Sequence, residues 1–227
     1  MMRQEKYILK SRIKAIFFDL DGTVVDSSEG ITKSVQYALS KYNIDAPDLE
    51  ELKKFIGPPL SESFMRFYGI PEEETSRAIS YYRERYSTKG LLECCLYPGI
   101  AKAIEDASRA GFFVGMASGK PEGFCHEILK NHGVEQYFDE IVGTTINGPI
   151  NTKEQVINEL FRRHPELEPK ECILVGDTKY DADGANAAGI ACLGVSFGFG
   201  DRQEMLDRGV IAVVDTADEI INVIQSI

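Results

Sequence analysis

The run Ile13-Lys14-Ala15-Ile16-Phe17-Phe18 leads directly into Asp19-Leu20-Asp21-Gly22-Thr23, so an apolar strand delivers two carboxylates to a tight turn. An apolar stretch of this kind marks a parallel strand covered on both faces. The carboxyl ends of such strands are where open α/β sheets bind ligands. Gly22 permits a bend that a residue with a Cβ resists. A strand followed by an Asx-type turn would give the same local pattern without chemistry, so the rest of the chain must decide between the two.

From Pro98 onward strand-like and helical segments alternate. Residues 112–117, 140–143, 172–175, 191–197 and 210–214 read as strands, and 100–111, 121–131, 153–163, 180–188 and 216–224 as helices. That alternation predicts a doubly wound, Rossmann-like α/β core with a parallel sheet. Residues 26–95 differ, lacking strand-like runs and being rich in helix formers, Tyr and Glu. They predict an inserted α-helical cap between core segments 1–25 and 96–227, with junctions near Asp26 and Leu96. Ser27 or Ser28 is placed to cap a helix through Ile31, Val35, Ala38 and Leu39. Gly57-Pro58-Pro59 should stop the next helix, and residues 75–82 continue a third.

A chain of 227 residues can hold one domain with a smaller insert. The apolar runs are too short to span a bilayer, and the N-terminus has no secretory pattern, so neither a membrane nor export is expected. The five cysteines show no metal-ligand or disulfide spacing and are expected to be reduced thiols in the cytoplasm. A formal charge of −11 disfavours nucleic acid as a partner. An anionic substrate then needs a metal and local donors. His126, His132 and His164 lack ligand spacing and are expected in surface or capping roles. Tyr81, Tyr82 and Tyr86 are expected in the cap interior, and the glycine-rich run 194–200 in a loop at the site's rim.

The first signature does not stand alone. Ser118 follows the strand at 112–117, Lys153 follows that at 140–143 after a short loop, and Gly176-Asp177-Thr178-Lys179-Tyr180-Asp181 follows that at 172–175. In this order the four segments resemble the signatures of the haloacid dehalogenase superfamily, mostly phosphohydrolases with an aspartate nucleophile. The resemblance covers nearly the whole chain. It implies that Asp19 is the nucleophile and that Asp21 is the acid which protonates the leaving oxygen. Ser118, Gly119 and Lys153 would bind the phosphoryl group, although Gly119 stands where the family often has Ser or Asn. Mg2+ would be held by Asp19, Asp177 and the backbone carbonyl of Asp21, with Asp181 nearby holding waters or Lys153. Asp177 and Asp181 would also suit a plain helix start.

Asp21 narrows the reaction class. Expelling an alkoxide needs a proton donor and expelling a halide does not, which favours phosphoester cleavage over dehalogenation. Ile56-Gly57-Pro58-Pro59-Leu60 and Tyr97-Pro98-Gly99 resemble phrases of the phosphoglycolate phosphatase-like branch. The implied enzyme is a Mg2+-dependent phosphatase of a small phosphorylated substrate, phosphoglycolate-like or a nucleotide monophosphate, acting as a monomer or homodimer. A phosphomutase of the β-phosphoglucomutase type and an inactive binding protein of the same fold are the alternatives.

Overall fold

The computed structural model describes residues 13–146 and 148–227, leaving positions 1–12 of the expected first core segment outside the described residues. Its centre is a six-stranded parallel sheet in the order β5-β4-β1-β6-β7-β8. These strands are β1 (Ala15–Phe18), β4 (Phe113–Pro121), β5 (Glu140–Thr144), β6 (Cys172–Gly176), β7 (Ala191–Val195) and β8 (Val213–Val214). The remaining two, β2 (Val25–Asp26) and β3 (Cys95–Leu96), form a small antiparallel ribbon.

Four residues of β1 explain why the sheet must be covered twice. Ile16 and Phe18 enter one apolar cluster and Ala15 and Phe17 the other, and all four are fully buried. Successive side chains point to opposite faces, so this strand survives only with a layer on each side. On one face lie α5 (Ile100–Arg109), α6 (Glu122–Asn131) and α10 (Asp218–Gln225), and on the other α7 (Lys153–Arg163) and α8 (Lys179–Ala188). Helix α9 (Arg202–Asp207) precedes the edge strand β8. The expected doubly wound core is what forms. Its last strand is shorter than the predicted 210–214, although the bonds Ile211 N to Cys192 O and Gly194 N to Ala212 O carry the pairing further.

The chain winds outward through β1, β4 and β5, then reverses through β6, β7 and β8. The reversal leaves a crevice at the carboxyl ends of β1, β4 and β6. Between β2 and β3 all regular structure is helical, with α1 (Ser28–Ser40), α2 (Leu49–Leu52), α3 (Leu60–Tyr68), α4 (Glu72–Tyr86) and two single 3₁₀ turns. The ribbon pairs Val25 with Leu96 and Asp26 with Cys95, so chain entry and exit are hydrogen-bonded side by side.

Three local expectations change. Ser27 occupies the position before α1, but its side chain makes no capping bond, and Asp26 Oδ1 accepts from Ser28 N at 2.9 Å instead. Pro59 does not only stop a helix. Its fixed φ also starts α3, which gives four helices here rather than three. Strand β4 does not end at Ser118 but continues to Pro121, with a register break against β5 after Ala117. Among the described residues no helix is long and apolar enough to cross a membrane.

Candidate active site

Asp19 sits one residue beyond β1, held by its N–H bonding to Val175 O at 2.9 Å. The next residues fold back at once, because the amides of Val24 and Val25 both bond to Leu20 O at 2.9 Å. Gly22 has φ +86°, and a Cβ there would lie 2.1 Å from Asp177 Oδ2. Only glycine therefore lets this turn pass over the carboxylate that β6 delivers. Asp177 is fully buried, and its Oδ2 accepts from Phe199 N at 2.7 Å while Thr23 Oγ1 donates weakly to Oδ1 at 3.4 Å. The glycine-rich loop after β7 thus supports the site from behind rather than merely forming its rim.

Lys153 is the first residue of α7, whose start is fixed by a capping box between Thr152 and Gln155. From there its Nζ reaches Asp19 Oδ1 at 2.6 Å and Asp181 Oδ1 at 2.8 Å, and donates to Ala117 O at 2.8 Å. A Cβ on Gly184 of α8 would come within 2.5 Å of the Lys153 stem, so glycine is what lets the lysine through. Asp181 serves both readings made of it. Its Oδ2 caps α8 by accepting from Thr178 N and Oγ1 at 3.0 and 2.8 Å, and its Oδ1 faces Lys153.

Each of Asp19, Asp177 and Asp181 offers an oxygen within 4.8 Å of the others, and all three are buried. Lys153 is their one ion-pair partner among the described residues. Burial is the main force raising the proton affinity of Asp19, to about 7, with Lys153 opposing and Asp181 reinforcing it. Asp177 is raised well above the carboxylate range by burial, then by repulsion from Asp181 and Asp19. Lys153 is held above its ordinary value because Asp181 and Asp19 outweigh the burial that would lower it. Three carboxyl groups thus share one ammonium, and every donor is a carboxylate oxygen. Such a cluster fits a hard divalent cation.

Asp21 turns elsewhere. Its Oδ1 lies 2.9 Å from Lys120 Nζ, and Lys120 also donates to the hydroxyl of Tyr86 on α4, with its charge 4.6 Å from that ring's centroid. Burial alone would lower the proton affinity of Lys120, but the charge of Asp21 and the Tyr86 oxygen hold it well above the ordinary value. Lys120 is a site residue that the sequence reading passed over. The available signal was its spacing, two residues beyond Ser118 on one strand and so on the same face. Ser118 is buried, its Oγ accepting from Lys120 N at 3.2 Å, while Gly119 between them is exposed and gives its carbonyl to Thr144 Oγ1 at 3.1 Å.

These residues line one cavity of about 670 Å³. Its floor is Asp19, Asp21, Ser118 and Lys153, and its roof is the loop at Gly57-Pro58-Pro59 with the face of α4 that carries Ile79, Tyr82, Arg83 and Tyr86. Tyr82 and Tyr86 stack at 5.2 Å and are buried as expected, yet they are also cavity wall. Tyr81 instead packs edge-on to Tyr42. The histidines stay outside this cavity, pairing with Glu135 (His126), Cys94 (His132) and Glu140 with Glu166 (His164). All five cysteines are free.

Comparison with known proteins identifies relatives of the whole fold. The chain is 40% identical over 194 residues to a 5'-nucleotidase of Pseudomonas aeruginosa, covering 86% of this chain and 87% of that protein. It is 27% identical to a phosphoglycolate phosphatase of Vibrio parahaemolyticus, over 93% of this chain and 96% of that one. The crystal structure of a predicted phosphatase from Clostridium acetobutylicum superposes with a TM-score of 0.91 at 39% identity, covering 96% of this chain and all of that one. The profile of the haloacid dehalogenase-like hydrolases matches residues 16–195, and the chain belongs to that family.

Proposed function

We propose that this protein is a Mg2+-dependent phosphomonoesterase in which residues 26–95 cap the strand ends of a core built from residues 1–25 and 96–227. The observation that carries the reading is the separation of two aspartates two residues apart. Asp19 faces Lys153 and the carboxylate cluster, and Asp21 faces Lys120 and the cavity. Two acids in different surroundings suit two jobs. The names of the relatives support a small phosphorylated metabolite, a nucleotide or phosphoglycolate-like ester, as substrate.

Asp19 attacks phosphorus, forming an O–P bond as the ester O–P bond breaks, and Asp21, acting in its protonated form and not as the carboxylate paired with Lys120, gives its proton to the departing oxygen. Asp21 then takes a proton from the water that attacks the aspartyl-phosphate, which releases phosphate and restores Asp19. Ser118, the backbone at Gly119 and Lys153 hold the phosphoryl oxygens. Asp181 keeps Lys153 in place. Asp19, Asp177 and the backbone carbonyl of Asp21 would hold Mg2+, whose charge screens an anionic nucleophile from a phosphate dianion.

The test is phosphate release from a panel of nucleoside monophosphates, phosphoglycolate and sugar phosphates. Turnover should require Mg2+ and vanish in chelator and in Asp19→Asn. Asp21→Asn should slow alkyl esters by about a hundred- to ten-thousand-fold and spare the first step with aryl esters, whose leaving groups need no proton. Full turnover in chelator or in Asp19→Asn contradicts the reading. Isomerisation of a sugar phosphate without phosphate release would favour the mutase instead.

A further inference from the structure

The cavity wall holds three cations, and two are spoken for. Lys153 is engaged by Asp19 and Asp181, and Lys120 by Asp21 and Tyr86. The third, Arg83, is half-buried and has no ion pair, side-chain hydrogen bond or ring contact among the described residues. Every other described arginine is ion-paired to a carboxylate. The exception is pointed, because the chain carries a formal charge of −11 and α4 itself begins Glu72-Glu73-Glu74. Acidic partners are plentiful, and this guanidinium has none among the described residues.

Its position says which part of a substrate it would meet. Asp21 marks the leaving-group side of the phosphoryl subsite, Lys120 links Asp21 to Tyr86, and Tyr86 stacks on Tyr82, the neighbour of Arg83. Arg83 therefore lies on α4 about one turn beyond the contact that ties the acid to that helix. Ile79 and Arg83 are four residues apart and share the cavity-facing side with Tyr82 and Tyr86. A cavity of about 670 Å³ leaves room past a phosphoryl group for a leaving group that extends this far.

We propose that Arg83 is a specificity residue that binds a second anionic group, a carboxylate or a further phosphate, carried by the leaving group of the substrate. The planar guanidinium suits either, since both accept two parallel hydrogen bonds. This inference rests on the phosphatase reading and adds the chemical class of the substrate to it. Nucleotide monophosphates, whose nucleoside leaving group is uncharged, become poorer substrates than esters of an anionic alcohol.

The experiment compares matched esters on the wild type, Arg83→Met and Arg83→Lys in the presence of Mg2+. Phosphoglycolate is set against ethyl phosphate for the carboxylate arm, and fructose 1,6-bisphosphate against fructose 6-phosphate for the phosphate arm. 4-Nitrophenyl phosphate serves as the neutral reference. The wild type should prefer the anionic member of at least one pair by kcat/KM. Arg83→Met should erase that preference by about 10- to 100-fold, mainly through KM, and leave the neutral esters unchanged. Arg83→Lys should restore part of it, and the arm that responds identifies the anion. The guanidinium has no partner to lose among the described residues, so melting temperatures should stay together. No anionic preference in either arm, or equal losses on neutral and anionic esters, overturns the proposal while leaving the phosphatase reading intact. Failure of the wild type to hydrolyse any ester, 4-nitrophenyl phosphate included, overturns both.

Discussion

Lys120 and Asp21 bury opposite charges against each other, with side chains only 5% and 19% exposed. Neither is comfortable alone. Removing one partner of a buried pair leaves an uncompensated charge, at a cost of about 3 kcal/mol or more. Lys120→Met should therefore lower unfolding free energy by about that amount in urea titrations, and adding Asp21→Asn to it should cost little further. Additive losses, or a loss under about 0.5 kcal/mol for Lys120→Met, would mean that the two do not depend on each other. Arg83 is the contrasting case, a cation whose loss the fold should not register and whose substrate should.

At the scale of elements, the fold is tied together by charged contacts away from the cavity. His164 ends α7 and bridges Glu140 of β5 at 3.0 Å and Glu166 at 3.1 Å. Burial alone would lower its proton affinity, but its bonds to Glu140 and Glu166 raise it above 6.5. The folded protein thus keeps this proton to higher pH than the unfolded chain. The resulting stability is complete below about pH 6.5 and is lost as pH rises through the folded value. His164→Gln should cost more stability at about pH 5.5 than at about pH 8.5, by under about 1 kcal/mol because the site is near the surface. Equal losses at both would remove the ion pair from the account. The same scale shows where sequence reasoning falls short. Helix α3 is hidden in the sequence because Gly57-Pro58-Pro59 carries the pattern of a stop, although proline also begins helices.

For the molecule as a whole, the doubly wound core was legible because Ile16, Phe18, Ala15 and Phe17 demand two covering layers, and alternating elements supply them. Asp19, Lys153, Asp177 and Asp181 are legible because each comes after a strand, and Ser118 because it lies near the carboxyl end of one, and the fold gathers strand ends. Lys120 and Arg83 are not. A lysine or arginine in a sequence carries no sign of burial, and what distinguishes these two is a partner far along the chain or the lack of one. The capping contact of Asp26 on α1 is hidden for a similar reason, since the two serines beside it also offer acceptor oxygens. The central claim is that Asp19 carries the phosphoryl group, and the direct measurement is to trap it. Acid quenching during turnover of an aryl phosphate, followed by borohydride reduction and peptide mass spectrometry, should convert Asp19 to homoserine, most fully in Asp21→Asn, where breakdown of the intermediate is slowed. Phosphate released at full rate with no modification at Asp19 would contradict it.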